Sequence, residues 1–228
     1  LVVDSGGMPR VVAVGTPAQD DARHLAAQDA WLAQGTIPGP PEYADMAERA
    51  LRDLESLVLP GGAALAGANP AWRYVWPRDA SFTVAALSRT GHADDAFDVL
   101  EYLQRMGELR STDGMLAARY LPDGTGAVPD DRGPQLDGSG WVLWAVAQWY
   151  AAAGDDGPGD VDRVHDLESL RPLVAQAVAT IRANVDPSSG LPTVSPDYWE
   201  VGEQTVTLGT LAPLLLGVRA AEPVLDAL

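Results

Sequence analysis

Hydrophobic positions recur with a helical period along most of the chain. The clearest run is Tyr43, Met46, Ala47, Ala50, Leu51, Leu54, Leu57 and Val58, which share one face across about four turns. Ahead of it TIPGPPE reads as a rigid turn, with Pro41 at the first helical position, where its fixed φ costs nothing. Glu48 and Arg52, four apart, form a modestly helpful pair on the polar face. Upstream, Leu25, Trp31 and Leu32 predict a shorter amphipathic helix between Asp20 and Leu32 that stops at Gly35, with Gln28 falling on its apolar face. Downstream, Ser81 to Ser88 is small and apolar, and the period returns at Ala93, Ala96, Phe97, Leu100 and Leu103. WVLWAVAQWY, from Trp141, is almost wholly apolar and predicts a buried helix. Leu173, Ala177, Ile181 and Val185 form a stripe that Pro172 can start and DPSSG closes. A last apolar helix is expected from about Glu203 to Ala221, with Pro213 as a kink and Glu203 in its first turn.

About seven helical segments and few strands make this an all-α pattern in which the joins carry the unusual residues. The longest join, Thr112 to Gly138, holds five Asp, five Gly and three Pro, with MLAARYL as a possible short strand or hairpin. Connections of that length in a compact domain are often functional. GDDGPGD reads as a further turn.

Composition narrows the function. The 228 residues contain 15 basic side chains, all arginine, against 32 acidic ones, a net charge of −17 that disfavours a phosphate backbone as partner. Cysteine is absent, which removes thiol chemistry and thiolate metal sites. The three histidines, His24, His92 and His165, are too scattered to suggest a metal centre, and no pattern calls for a cofactor. Apolar runs such as LAPLLLGV are far shorter than the roughly 20 residues of a membrane span. The N-terminus shows no secretory leader pattern and lacks an initiator Met, so a piece of a longer protein is expected; the compartment stays open, leaning to the cytoplasm.

Three clusters of polar and aromatic residues stand at the starts or joins of helices: YVWPRDASF, RGPQLDGSGW and PTVSPDYWEVGEQ. In the first, Pro77 biases Trp76 to an extended conformation and places Asp79 near a helix N-terminus, beside the donors of Arg78. An Asp-Arg pair beside an indole suits a sugar, whose hydroxyls want paired donors and acceptors and whose C–H face wants an aromatic plate. An N-cap Asp with a surface Arg and a core Trp fits the same residues, so both readings stay open. In the third cluster Glu200 follows Tyr198 and Trp199; a carboxyl desolvated by such rings can hand a proton to a leaving oxygen at neutral pH. A capping or ion-paired Glu is the alternative.

Taken together, RYVWPRDASFTVAAL, PQLDGSGWVLWA and SPDYWE resemble, in order and spacing, the catalytic domain of glycoside hydrolase family 15, the glucoamylases, glucodextranases and bacterial trehalases. The resemblance runs from about Glu42 to Ala221. It implies an (α/α)6 barrel of which residues 41–228 supply roughly the first half, after a lead-in of residues 1–40. It further implies that Arg78 and Asp79 hold hydroxyls of a terminal glucose beside Trp76, that Glu200 is the general acid with Trp199 next to it as a further sugar contact, and that Asp137 lies near the inner wall, as a sugar contact or as a helix cap.

The implied activity is an inverting, exo-acting hydrolase that releases glucose from α-linked glucans or disaccharides, without metal or cofactor, nucleic acid or membrane. Two departures bear on it. Val201 stands where fungal relatives carry a second Glu, and the general base belongs to a C-terminal half of the barrel that this sequence does not include. The competing function is a non-catalytic α-helical carbohydrate-binding or assembly module.

Overall fold

The computed structural model describes residues 2–3, 9–10, 17–109, 114–152 and 160–228. Among them are nine α-helices: α1 (Pro17–Leu32), α2 (Ala44–Leu57), α3 (Pro77–Arg89), α4 (Ala93–Leu109), α5 (Asp137–Ala151), α6 (Asp160–Ser169), α7 (Arg171–Ala183), α8 (Leu208–Ala220) and α9 (Glu222–Ala227). Two-residue strands β1 (Val2–Val3) and β2 (Pro9–Arg10) pair antiparallel, Val2 with Arg10 and Val3 with Pro9. The fold is therefore all-α, as the apolar period predicts.

The predicted helices form where the period runs. α2 is preceded by a 3₁₀ turn over Pro41–Tyr43 with Pro41 at its start. Arg52 reaches both Glu48 and, across to α1, Asp29, each at 2.7 Å. Gln28 is buried on the face of α1 where the sequence placed it, because its amide donates to the Arg52 carbonyl, Glu55 and Ser56. A polar group can sit there only with partners of this kind.

Helix α5 is the hub. It packs most extensively against α8 and α3, and also against α7, α4 and α9. Val142, Leu143, Val146 and Trp149 are buried there among Leu87, Leu103 and others. The backbones of α5 and α8 nearly touch: a Cβ on Gly140 would come within 2.4 Å of the Pro213 carbonyl, and one on Gly217 within 2.2 Å of the Gly140 carbonyl. Only glycine permits that approach. The side of α5 carrying Trp141 and Trp144 is half-buried and packs on Phe82, which is itself exposed.

Three expectations need correction. α8 starts at Leu208 rather than near Glu203, because the Thr207 side chain caps it by accepting from the Thr210 amide, so Glu203 lies in the preceding loop and not in a first helical turn. α6 was not expected; Leu167 and, just past its end, Leu170 anchor it in the core. MLAARYL forms no strand of its own but isolated bridges, Val75 to Tyr120 and Ala117 to Pro134. Most of GDDGPGD lies outside the described residues.

Candidate active site

Three loops and two helix starts meet at the predicted residues. The first is the segment before α3. Val75 exchanges two backbone hydrogen bonds with Tyr120, at 3.0 and 2.9 Å, which pins this segment to the long join. Trp76 then adopts the extended conformation imposed by Pro77 and occupies the N-cap position of α3 without a side-chain cap bond. Its indole is buried, with Trp72 and Tyr74 rings at 5.9 Å. Asp79 sits in the first turn rather than at the cap, so the capping role left open by the sequence does not hold.

Arg78 draws the cluster together. Its Nη1 donates to Asp137 Oδ2 at 2.9 Å and to Gln135 at 3.4 Å; its Nη2 lies 3.8 Å from Glu200 Oε1 and its Nε 3.9 Å from Asp79 Oδ2. One guanidinium thus faces three carboxylates from three parts of the chain. Asp137 opens α5, is almost fully buried, and has no hydrogen bond to Oδ1. Burial pushes its carboxyl above the ordinary aspartate range, against the pull of Arg78. Asp79 is raised as well, by burial first, with Arg78 opposing and the charge of Glu200 adding to the shift.

Glu200 stands on a tight turn with φ of 57°, the one positive value at a non-glycine among the described residues. Such backbone costs energy in a bulky residue and persists only where neighbours impose it. Asp197 imposes it: its Oδ1 accepts from the Trp199 amide at 2.9 Å, its Oδ2 from the Thr207 hydroxyl at 2.6 Å, and its carbonyl from the Glu200 amide at 2.8 Å and the Gln135 side chain at 2.9 Å. A Cβ on Gly209 would collide with that carboxylate, which lets α8 start against it.

The Glu200 side chain is mostly buried. Oε1 accepts from the Trp76 indole N–H and Oε2 from Arg132 Nη1. Arg132 also lies 3.3 Å from Asp130 Oδ2, the oxygen that Arg119 bonds, and Arg119 lies over the rings of Tyr74 (4.2 Å) and Trp76 (5.1 Å). Burial opposes it, but the two guanidiniums hold Asp130 below the ordinary range.

The sequence-predicted residues Trp76, Arg78, Asp79, Asp137 and Glu200 therefore converge. Trp199 does not join them: it is 68% exposed, tilted against an exposed Tyr198 at 5.2 Å, so the apolar wall expected from these two rings is not what encloses Glu200. Trp76 is. Val201 is exposed as well. Sequence reasoning missed Arg132, Arg119, Asp130, Gln135 and the turn-building role of Asp197. Arg132 heads the polar cluster RGPQLDGSGW, which was the available signal.

Among the described residues no group of three or more His, Asp or Glu is arranged to hold a metal ion, and no helix is long and apolar enough to cross a membrane.

No known family profile matches this sequence, and no curated protein is similar to it. Solved structures of a glycosidase are similar in fold. The wild-type protein shares 22% identity at a TM-score of 0.55, and two single-site variants share 21% and 22% at 0.56. Each match covers 93% of this chain but 56% of the glycosidase, so the chain spans little more than half the length of the structures it matches.

Proposed function

We propose that these residues form the sugar-binding and acid half of a glycoside hydrolase site of the glucoamylase-like family, acting from the chain end with inversion to release glucose from an α-linked glucan or disaccharide. The observation that carries the proposal is the convergence on Arg78 of Asp79, Asp137 and Glu200, with the Trp76 indole bonded to Glu200. Shared fold with a glycosidase supports it.

In this reading Asp79 and Arg78 bind hydroxyls of the terminal glucose, and Asp137 holds Arg78 in place from beneath. Glu200 protonates the glycosidic oxygen: its O–H bond breaks, the proton passes to the leaving oxygen, and the C1–O electron pair stays with that oxygen. Inversion needs a second carboxylate about 6.5–9.5 Å away, with a water between it and C1. That base, and the remaining helices of an (α/α)6 barrel, are assigned to the part of the fold for which this chain has no counterpart. Leu208, Leu215 and Val218, exposed on α8, and the exposed Phe82 beside Trp141 and Trp144 are apolar surfaces such helices would cover. Residues 41–228 are then the first half of that barrel. Val201 leaves no carboxylate next to the acid for the second sugar, and the exposed Tyr198 and Trp199 are the surface offered to the leaving group.

The test is Glu200→Gln in the full-length protein. Turnover of glucosides with poor leaving groups should fall by orders of magnitude, sugar binding should persist, and an activated aryl glucoside should lose much less. Equal losses for both substrates would remove the acid role. Sugar binding with no turnover in the unaltered protein would favour a carbohydrate-binding module.

A further inference from the structure

The polar partners of Glu200 come from three side chains, Trp76, Arg78 and Arg132. Its sequence neighbours Trp199 and Val201 are exposed, and its backbone lies in a left-handed turn rather than a helix. Arg78 stands off at 3.8 Å because its nearer bond is to Asp137. The close donors are Trp76 on Oε1 and Arg132 on Oε2. One donor fixes one oxygen and leaves the carboxyl free to turn about its last torsion, which is intrinsically broad. A second donor on the other oxygen fixes its plane.

The two oxygens differ in surroundings. Oε1 faces Arg78, and through it Asp79 and Asp137; Oε2 faces the long join between α4 and α5. The contact with Arg132 does not end there. Arg132 and Arg119 converge on one oxygen of Asp130, and Arg119 lies across the faces of Tyr74 and Trp76, the same indole that bonds Oε1. The path from Glu200 through Arg132, Asp130, Arg119 and Trp76 closes on itself. It also balances two carboxylates with two guanidiniums.

We propose that Arg132 is the positioning residue of Glu200: it holds Oε2, the oxygen turned away from the sugar, so that Oε1 is presented to the glycosidic oxygen, and Asp130 and Arg119 lock that hold onto Trp76. The inference rests on the assignment of Glu200 as the acid. When Oε1 gives up its proton the carboxylate left behind keeps a charge-assisted partner on Oε2, so no rearrangement is needed as charge develops. Arg132 acts through Glu200 and is not placed against the sugar.

The experiment uses the full-length protein with Arg132→Gln, Arg132→Lys and Asp130→Asn. Two readings are taken: the ¹⁵N-indole signal of Trp76, assigned by its loss in Trp76→Phe, and kcat and KM on a glucoside with a poor leaving group. Arg132→Gln should shift the Trp76 indole signal in the direction that Glu200→Gln shifts it, and lower kcat about tenfold to a hundredfold with KM changed less than about threefold. Arg132→Lys should restore much of the kcat, and Asp130→Asn should give a smaller loss with the same unchanged KM. An unmoved indole signal in Arg132→Gln overturns the proposal whatever the turnover. So does a kcat loss that Arg132→Lys fails to relieve. A shifted signal with no dependence of turnover on Glu200 supports the hold by Arg132 while removing the acid assignment, so the two failures are distinct.

Discussion

The indole N–H of Trp76 donates to Oε1 of Glu200, a residue 124 positions further along the chain. Trp76 reaches that position because Pro77 fixes the backbone ahead of α3 and because Val75 is bonded to Tyr120 on the long join. A buried indole needs a partner for its N–H, and here the partner is a carboxylate on a strained turn. The bond therefore joins the two ends of the candidate site and orients both.

Trp76→Phe keeps a ring in the core and removes the donor. A hydrogen bond to a charged group is worth about 1.5–3 kcal/mol, so kcat/KM on a poor leaving group should fall about tenfold to a hundredfold. An activated aryl glucoside should lose less. Steady-state kinetics on the pair of substrates check this, and an equal loss on both would show that Trp76 acts on the sugar alone.

Asp79 presents a separable case, because it does not cap α3 and its side chain is about half exposed. Asp79→Ala should leave urea unfolding at neutral pH within about 1 kcal/mol of the parent, since the half-buried carboxylate is disfavoured by burial and Arg78, at 3.9 Å, offsets only part of that. It should cost kcat/KM about tenfold to a hundredfold for the authentic glucosyl unit, and far less for a deoxy analogue lacking the contacted hydroxyl. A constant ratio between the two sugars would take Asp79 out of the binding site.

Asp197 carries structure rather than chemistry. It is buried, and its carboxylate ties the Trp199 amide to the Thr207 hydroxyl at the start of α8. Asp197→Ala should lower the unfolding free energy by about 1–3 kcal/mol, because the part-buried Trp199 amide and Thr207 hydroxyl lose their acceptor. Activity should fall as well, since the turn that aims Glu200 loses its clamp. Urea titration with far-ultraviolet circular dichroism measures the first effect, and a loss below about 1 kcal/mol would contradict the role described.

What could be read from sequence follows from range. The helices were legible because a 3.6-residue period is local, and Trp76 and Pro77 were legible because proline acts on its immediate neighbour. The start of α8 was misplaced because apolar period alone does not see the Thr207 cap. Tyr198 and Trp199 were expected to enclose Glu200 on adjacency, but the Asp197 clamp and the positive φ of Glu200 reverse the chain and send the two rings outward. The pairing of Arg132 with Glu200 spans 68 positions between two irregular loops, and no periodicity encodes such a contact.

His92 ties folding to pH. It is buried in the turn between α3 and α4, its ring stacked on Trp31 at 3.6 Å and 10°, with Asp95 3.9 Å from Nδ1 and no hydrogen bond to Nε2. Burial lowers its pKa below the ordinary 6.5, against the pull of Asp95, so the folded protein holds it neutral where the unfolded chain takes up a proton. Its contribution to stability is then complete above pH 6.5 and is lost as pH falls through the folded value, with a slope of at most about 1.4 kcal/mol per pH unit for one proton. Asp79 and Asp137, both raised, act with the opposite sign: their contribution is lost as pH rises from 3.8 through their folded values. Asp130, Asp186 and Glu168 are lowered, and their losses fall below pH 4.5. His92→Phe preserves the stack on Trp31 and carries no proton. Unfolding free energies of the parent and His92→Phe, measured by urea titration from pH 7.5 to 5, should diverge below pH 6.5, the parent falling more steeply; parallel curves would show that His92 titrates alike in the folded and unfolded chains.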